Sequence, residues 1–383
     1  MSENQAIRTI KLLQCSDIHL DTPFVGLSAE KSEERRRGLR ESFIRLMQYV
    51  QNRGVDIVLM CGDIFDTDYA TNTTAEVLIR EFRSCPDTQF IITPGKSDYY
   101  NSNPIYTSGR LPDNVKVVAT PSLTRIDYDE LNLTVYSWAF LEPVMRENPL
   151  YQRRVDDNSR INIVAGYADL DGPIGSDKCP IALSDLKSFG ADYYAFGSRH
   201  ERSETVKVGG ALYTYSGSLE CTGFDDPGLG GANLILIETG DGATSIDVRH
   251  HAFGHMRHVT EVIDITGVDK YNEIINRISR LISEKKYGIE TALRVELVGY
   301  LDPRFIVPRN FECEAFGLYY FDIIDKTIPL YGTESFKNDM SVKGELFRNL
   351  LPLLEGDNED DKLIAARAFR VGLAALEGRE IDF

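Results

Sequence analysis

Short apolar runs rich in β-branched residues recur through the first half of the chain and predict buried strands. The runs lie at residues 55–60, 89–93, 115–119, 133–137, 161–165 and 191–196. Fewer helical patterns separate them than a regular alternation of strand and helix would provide. We therefore expect an α/β fold in which strands outnumber helices.

The hydrophobic pattern changes near residue 259 to strand, helix and strand. The strands are predicted at 259–265 and 292–300. The segment between them, 270–285, carries its apolar residues three and four positions apart, which is typical of an amphipathic helix. A small α+β region is therefore expected after the strand-rich part.

Two more helices are predicted near the end of the chain, at 342–354 and 362–377, with an acidic turn at 355–361 between them. The last helix has a broader apolar surface than one amphipathic stripe requires. Either this helix packs on the protein's own core or it binds a partner.

Four polar motifs directly follow apolar runs. They are CSDIH at 15–19, GDIFD at 62–66, PGKSD at 94–98 and FGSRH at 196–200. Open α/β sheets bind ligands beyond the carboxyl ends of their strands, so we expect Asp17, Asp63 and His200 to converge at one edge of a sheet. With His19, this set of carboxylates and imidazoles suits manganese, iron or zinc. The residues alone leave another interpretation open, in which the aspartates cap turns and the histidines are ordinary structural residues.

These motifs resemble those of the calcineurin-like metallophosphoesterase superfamily and, within it, the SbcD- and YhaO-like DNA repair nucleases. The pattern in those proteins is DxH, GDxxD, GNHD, a lone His after a strand, and GHxH. DxH and GDxxD are intact in this chain. In GNHD, Lys96 replaces the Asn and Ser97 replaces the His that assists the leaving group. Tyr167 stands at the position of the lone His, and Ser198 replaces the first His of GHxH, whose second is His200.

The resemblance implies a metallophosphoesterase two-sheet sandwich flanked by helices. It also implies that one divalent metal is held by Asp17, His19, Asp63 and His200, the residues at the family's first-metal positions. Manganese is favoured by the resemblance, with iron or zinc as alternatives. Of the residues that hold the second metal in the family, only Asp63 remains, so a second metal is not expected.

The altered third motif leaves no residue that can be assigned confidently to catalysis. A hydroxyl at Ser97 cannot replace an imidazolium as a proton donor near neutral pH. Lys96 and Arg199 are the candidates for stabilising charge. We hypothesise that the Lys96 ammonium substitutes for the second metal beside Asp63, with Asp98 as a further counter-ion. The alternative is that Lys96 points into solvent.

On the same resemblance, the chain is expected to have three parts. Residues 1–252 form a metallophosphoesterase-like domain. Residues 253–332 form a small capping domain of the kind that such nucleases place beside the active site. Residues 333–383 form a C-terminal helical segment, which the resemblance identifies with the helices that bind the coiled coil of an SbcC-type ATPase.

Charge and composition limit the classes of partner. A formal net charge of −17 argues against a protein that coats nucleic acid unaided, so any DNA contact must be local or provided through a partner. The arginines within 35–45 are expected to form a solvated helix face, with a phosphate-contact patch as the alternative. Six scattered cysteines without CxxC pairs indicate reduced thiols in a cytoplasm. No apolar run approaches transmembrane length, and the start lacks a signal-peptide pattern, so no membrane association is expected.

Three functions remain open from the sequence. We favour a catalytically degenerate subunit of DNA repair or maintenance, which acts as a scaffold or regulatory partner of an SbcC-like ATPase. The first alternative is an active DNA exonuclease or phosphodiesterase that uses one metal. The second is a protein that binds a nucleotide or another phosphorylated ligand without chemistry. The sequence also leaves open whether the chain forms a homodimer.

Overall fold

The structure is a computed structural model that describes residues 8–25, 27–173, 175–226, 228–240, 243–302, 305, 307, 316–329 and 336–378. Cys313, one of the cysteines considered above, lies outside these residues. The chain divides into two units, Met1–Met256 and Arg257–Phe383. Within the described residues, no helix is both long enough and apolar enough to cross a lipid bilayer.

Among its described residues, the first unit contains fourteen strand segments in chain order. They are β1 (Arg8–Cys15), β2 (Ile57–Met60), β3 (Gln89–Ile92), β4 (Val115–Val117), β5 (Thr124–Tyr128), β6 (Leu133–Ser137), β7 (Ile161–Tyr167), β8 (Asp169–Leu170), β9 (Pro180–Ile181), β10 (Tyr193–Gly197), β11 (Val206–Val208), β12 (Ala211–Tyr215), β13 (Gly228–Gly240) and β14 (Ala243–Asp264), whose last residues belong to the second unit. Its helices are α1 (Ala29–Arg53), α2 (Asn72–Ser84), α3 (Pro104–Thr107) and α4 (Leu183–Phe189), with 3₁₀ turns at Thr67–Tyr69 and Asp129–Leu131.

These strands form two main sheets. In the larger sheet, β1 to β4 are parallel neighbours, and β13 pairs antiparallel with β1 and lies beside β14. The second sheet has the order β11-β12-β10-β7-β6-β5, and its four central strands are parallel. All six strands predicted from the apolar runs are present, with ends shifted by at most two residues.

The two sheets pack face to face, with helices on both outer faces. Leu12 and Ile163, from different sheets, share one buried cluster between them. On the outer face of the larger sheet, Phe43 of α1 packs in a cluster with Phe90 of β3. On the outer face of the second sheet, Phe189 of α4 is buried. Each large apolar side chain buried in this way contributes about 1.5–3 kcal/mol to stability. The prediction of a two-sheet α/β sandwich flanked by helices is confirmed.

A buried polar network joins the two sheets near the carboxyl ends of β1 and β10. The Gln14 amide donates to the carbonyl oxygens of Phe196 and Thr214 at 3.1 and 3.0 Å. The Tyr193 hydroxyl donates to Gln14 Oε1 at 2.6 Å. Buried polar groups that are fully paired fix one arrangement of a core. The network therefore sets the relative position of the loops that follow these strands.

Helix α1 is anchored by a buried ion pair. Arg35 is 3% exposed and donates from Nη1 to Glu220 Oε1 at 2.9 Å. Ser42 and the backbone N–H groups of His255 and Met256 also donate to the Glu220 carboxylate. The expectation of a solvated helix face was therefore wrong for Arg35, because this arginine neutralises a carboxylate inside the core.

The second unit begins with the last residues of β14, which pair in parallel with β15, and β15 pairs in parallel with β17. Its further elements are α5 (Tyr271–Lys285), β15 (Thr291–Val298), β16 (Tyr300–Leu301), β17 (Tyr320–Asp325), β18 (Ile328–Pro329), α6 (Val342–Leu354) and α7 (Glu359–Leu376). Helix α5 buries Ile274, Ile278 and Ile282 at helical spacing. The predicted order of strand, helix and strand is confirmed.

The two terminal helices pack against each other within this unit. Phe347 of α6 and Phe369 of α7 lie with their ring centroids 5.4 Å apart, and both are fully buried. Ile364 and Leu376 on α7 remain exposed. Helix α7 begins at Glu359, inside the acidic run predicted as a turn. Carboxylates in a first helical turn interact favourably with the helix dipole, which explains the earlier start.

Candidate metal centre

The candidate metal centre lies where loops from the two sheets meet. Asp17 and Asp63 follow β1 and β2 of the larger sheet, whereas His200 follows β10 of the second sheet. A Cβ atom at Gly197 would lie 1.9 Å from the carbonyl oxygen of Cys61, so only glycine allows the ends of β10 and β2 to approach. The expectation that one sheet edge carries the site was wrong, because both sheets contribute.

The loops that follow β1 and β2 run side by side in an unusual backbone conformation. The N–H of Asp17 donates to the carbonyl of Gly62, and that of His19 to the carbonyl of Asp63, both at 3.0 Å. Asp17, His19 and Asp63 have φ angles of 49°, 49° and 53°. This left-handed region is uncommon for residues other than glycine, although Asp, Asn and His are enriched there. Such conformations cluster at functional sites because the surrounding structure must hold them in place.

Three of the four predicted ligands form a tight cluster. One ligand atom each from Asp17, His19 and His200 lies within 4.8 Å of the other two. His19 Nε2 is 3.2 Å from His200 Nε2, and His200 Nε2 is 3.9 Å from Asp17 Oδ1. The fourth residue, Asp63, lies beside this cluster, with Oδ2 4.0 Å from His19 Nε2. The structure thus brings together all four residues.

Asp17 carries the clearest sign that the cluster fits a cation. Its Oδ2 accepts from Ser16 Oγ at 2.5 Å and from the Ser198 N–H at 3.2 Å. Its Oδ1 is buried and has no hydrogen-bond partner among the described residues. A buried carboxylate oxygen without a partner is costly unless another group neutralises it. A divalent cation between Asp17, His19 and His200 fits that requirement.

Asp66 contacts a candidate ligand, and the sequence motifs did not suggest a role for it. Its Oδ1 lies 2.7 Å from His19 Nδ1, and this hydrogen bond leaves Nε2 directed at the cluster. Metal-binding histidines commonly donate their second ring N–H to a carboxylate in this way. The signal was present in the sequence, because Asp66 is the second Asp of the GDIFD motif.

The cluster has an excess of carboxylate charge. Burial and the neighbouring Asp63 raise the pKa of Asp17 to about 7. Burial lowers the pKa of His19, but the hydrogen bond to Asp66 and the nearby carboxylates outweigh it and raise that pKa to about 9. Burial and the positive His19 lower the pKa of His200 to about 4. A bound cation would balance these carboxylates and invert this local pattern.

Comparison with known proteins identifies the family. Residues 10–201, half of the chain, match the family model described as calcineurin-like phosphoesterase. The chain belongs to this family. Membership implies that the protein binds a divalent metal, and Asp17, His19 and His200 form the candidate site for it.

Two relatives share less than a quarter of their aligned residues with this chain. The uncharacterized metallophosphoesterase YhaO of Bacillus subtilis (strain 168) is 22% identical over 301 residues, which are 76% of this chain and 72% of that protein. The DNA double-strand break repair protein Mre11 of Methanopyrus kandleri is 23% identical over 229 residues, which are 55% of this chain and 49% of Mre11. This chain thus spans about half the length of that Mre11. A solved dimetal phosphatase from Danio rerio has 12% identity and a TM-score of 0.40, and the match covers 63% of this chain and 99% of that one.

Two serines stand where the family pattern has histidines, and both support the site through their backbone. The Ser97 N–H donates to Asp63 Oδ1 at 2.7 Å. The Ser198 N–H donates to Asp17 Oδ2 at 3.2 Å, while its hydroxyl donates to the Ala168 carbonyl at 2.6 Å. The side chain of Ser198 is therefore directed at a neighbouring strand end rather than at a second cation position.

Asp98 joins the loops of the candidate metal centre and does not act as a counter-ion for Lys96. Its Oδ1 accepts from the N–H groups of Asp63 and Gly95 at 3.0 and 2.7 Å. Its Oδ2 accepts from the Ile64 N–H and the Tyr106 hydroxyl at 2.8 and 2.5 Å. Lys96 is half-buried and makes no ion pair or hydrogen bond within the described part of the chain. The expectation of a Lys96–Asp98 pair was wrong, because Asp98 is already saturated.

Arg199, the other candidate for stabilising charge, lies along the adjacent loop. Its Nη2 donates to the carbonyl of Leu170 at 2.9 Å, and its guanidinium stacks 4.7 Å from the ring centroid of Tyr215. Asp169 Oδ1 lies 3.7 Å from Arg199 Nη2 and partly balances its charge. These contacts hold the guanidinium against the Tyr215 ring.

A cleft of about 390 Å³ opens beside His200. Its lining includes Arg202, Asp226 and His250 together with the backbone of Gly217. Asp226 is 3% exposed, and burial raises its pKa to about 6. The cleft is large enough for a small ligand and contacts the candidate metal centre through His200.

Proposed function

We propose that this protein is a metallophosphoesterase-fold subunit of DNA repair or maintenance, with little or no nuclease activity, that acts as a scaffold or regulatory component. One asymmetry carries the proposal. At the first metal position, His19 and His200 lie close to Asp17, whose buried Oδ1 has no hydrogen-bond partner among the described residues. At the second, Lys96 offers no ligand atom suited to a cation, and the Ser198 hydroxyl is bound to a backbone carbonyl. Two-metal phosphoryl hydrolysis depends on both positions.

The proposed cofactor is one divalent cation held by Asp17, His19, Asp63 and His200. Manganese is favoured, with iron or zinc as alternatives, and a second metal is not expected. When bound, such a cation supplies the positive charge that polarises a phosphate oxygen. The chain itself orients His19 through Asp66. Ser97 provides no imidazolium for the leaving group, and a positioned proton donor is worth roughly 10²–10⁴-fold in rate.

The proposed partner is an SbcC-type ATPase with a coiled coil. Support comes from the motif resemblance, from the relative named as a DNA double-strand break repair protein, and from the apolar Ile364 and Leu376 that α7 leaves exposed. In this proposal, residues 253–332 act as a capping domain and residues 333–383 bind the coiled coil. With a net charge of −17, DNA would be contacted locally or through the partner. The described cysteines are buried free thiols, which supports a cytoplasmic location.

A second candidate function is a working one-metal phosphodiesterase or DNA exonuclease. The observation that favours it is the cleft beside His200, which contains Arg202 as a positive group for a phosphate. The same cleft favours a third candidate, a protein that binds a nucleotide or another phosphorylated ligand without hydrolysing it. Activity of the unmodified protein separates these candidates.

Metal content tests the proposal directly. The protein is purified without chelator, and manganese, iron and zinc are measured by elemental analysis, followed by a manganese titration to detect a weakly held ion. The test variant is Asp63→Ala/His200→Ala. The matched control is Asp68→Ala/His255→Ala, which removes the same residue types at exposed positions.

About one metal per chain is expected in the natural protein and in the control, and none in the test variant. Absence of binding even in the titration would overturn the metal proposal. A nuclease assay on the same samples completes the test, because strong manganese-dependent activity in the natural protein would reject the degenerate subunit and favour the exonuclease.

A further inference from the structure

Tyr167 occupies a rigid position at the end of β7. Its side chain is 2% exposed, and its ring packs edge-on against Phe140 with the centroids 5.3 Å apart. Its carbonyl oxygen accepts from Trp138 Nε1 at 3.2 Å. A large aromatic side chain held in this way cannot leave its site without opening a cavity in the core.

The ring of Tyr167 lies between the two loops that flank Asp63, in a gap that only glycines leave open. A methyl group at Gly62 would lie 2.5 Å from Tyr167 Cδ2. A methyl group at Gly95 would lie 2.8 Å from the same atom and 2.5 Å from Asp63 Oδ1. Cβ atoms in proteins essentially never lie closer than 3.0 Å to a non-bonded heavy atom. The ring therefore fills the space directly beside the Asp63 carboxylate.

We propose that the Tyr167 ring closes the second cation position, because it fills the space beside Asp63 that a second cation would otherwise occupy. This inference rests on the proposed one-metal function. It places Tyr167, rather than Lys96, at the second cation position, and Lys96 forms no ion pair with Asp63 within the described residues. Tyr167 is thus a positioning residue that sets how many cations the site can hold.

The first test restores the missing ligands with and without the ring. One variant carries Lys96→Asn/Ser198→His, and the other adds Tyr167→His. Bound manganese per chain is measured by elemental analysis, and EPR distinguishes isolated Mn²⁺ from an exchange-coupled pair. The variant that keeps Tyr167 is expected to bind no additional ion, and the variant that loses it is expected to gain one ion per chain with a coupled signal.

An additional ion in the variant that keeps Tyr167 would overturn the inference, as would no additional ion in the variant that loses it. The comparison is between two variants, so it remains decisive even if the natural protein binds no metal and the proposed function fails. Trp138 is the only tryptophan of the chain, and its fluorescence reports whether the surroundings of Tyr167 stay folded in each variant.

A second test adds Tyr167→Phe to Lys96→Asn/Ser198→His. This change removes the hydroxyl and keeps the ring, so no additional ion is expected. An additional ion in this variant would show that the ring does not close the position.

Discussion

His19 Nδ1 lies 2.7 Å from Asp66 Oδ1, and this contact turns the other ring nitrogen towards His200. A ligand that is already oriented loses less conformational freedom when a cation binds. Carboxylate partners of metal-binding histidines also raise the basicity of the ring.

Replacing Asp66 with alanine should therefore weaken divalent-metal binding about 10–100-fold, the usual effect of losing such a partner. Titration calorimetry with Mn²⁺ measures the change. Asp68→Ala, two residues away and exposed, is the control and should bind like the natural protein. An Asp66→Ala variant with unchanged affinity would show that the hydrogen bond does not position His19.

Asp98 accepts four hydrogen bonds, from three backbone N–H groups and the Tyr106 hydroxyl. In Asp98→Asn, an NH₂ group replaces one carboxylate oxygen, and it cannot accept the hydrogen bonds that this oxygen receives. We expect the free energy of unfolding to fall by about 2–4 kcal/mol, because hydrogen bonds to a charged acceptor are lost and buried donors are left unpaired. Urea unfolding measures this, with exposed Asp113→Asn as the control. Equal stability of the two variants would contradict the role assigned to Asp98.

A further prediction concerns the buried ion pair between Arg35 and Glu220. Arg35→Met leaves a carboxylate inside the core without its counter-charge, which typically costs about 3–5 kcal/mol. Arg37→Met, at a position 66% exposed, should change stability by about 0.5 kcal/mol or less. Adding Glu220→Leu to Arg35→Met should recover much of the loss, since the uncompensated charge is then gone. Calorimetric unfolding of the three variants tests this, and a stable Arg35→Met protein would be the contrary result.

Asp226 should make stability depend on pH. Burial raises its pKa in the folded protein to about 6, from an ordinary value of 3.8. The folded state therefore binds the proton more tightly than the unfolded state. Stability falls as the pH rises from about 4 to about 6, and the full loss is present above about pH 6. Asp226→Asn should raise the free energy of unfolding at neutral pH by about 2–3 kcal/mol.

The gain in Asp226→Asn should shrink to nothing as the pH is lowered to about 4, because the natural carboxyl is then neutral as well. Denaturant unfolding at a series of pH values gives the measurement. Asp225→Asn, at the exposed neighbouring position, serves as the control. A stabilisation that persisted unchanged at low pH would mean that burial of the Asp226 charge is not its cause.

Several strands and the candidate metal ligands could be predicted from short segments of the chain. The apolar runs that became β2, β3, β6 and β7 were recognisable because burial on both faces requires continuous β-branched and aromatic residues. The ligand set of Asp17, His19, Asp63 and His200 was recognisable because each residue lies in a short motif directly after a strand. Both features depend only on residues close together in sequence.

Contacts between distant residues were decided only by the tertiary structure. Packing of one sheet on the other placed the Tyr167 ring beside Gly62 and Gly95, and packing of α1 on the larger sheet buried Arg35 against Glu220. The hypothesis that Lys96 substitutes for a metal, with Asp98 as its counter-ion, came from the places of these residues in the family motif. The structure instead uses Asp98 to hold the backbone of two loops. Side-chain partners follow from which surfaces pack together, and the sequence pattern specifies that a surface is buried without specifying its partner.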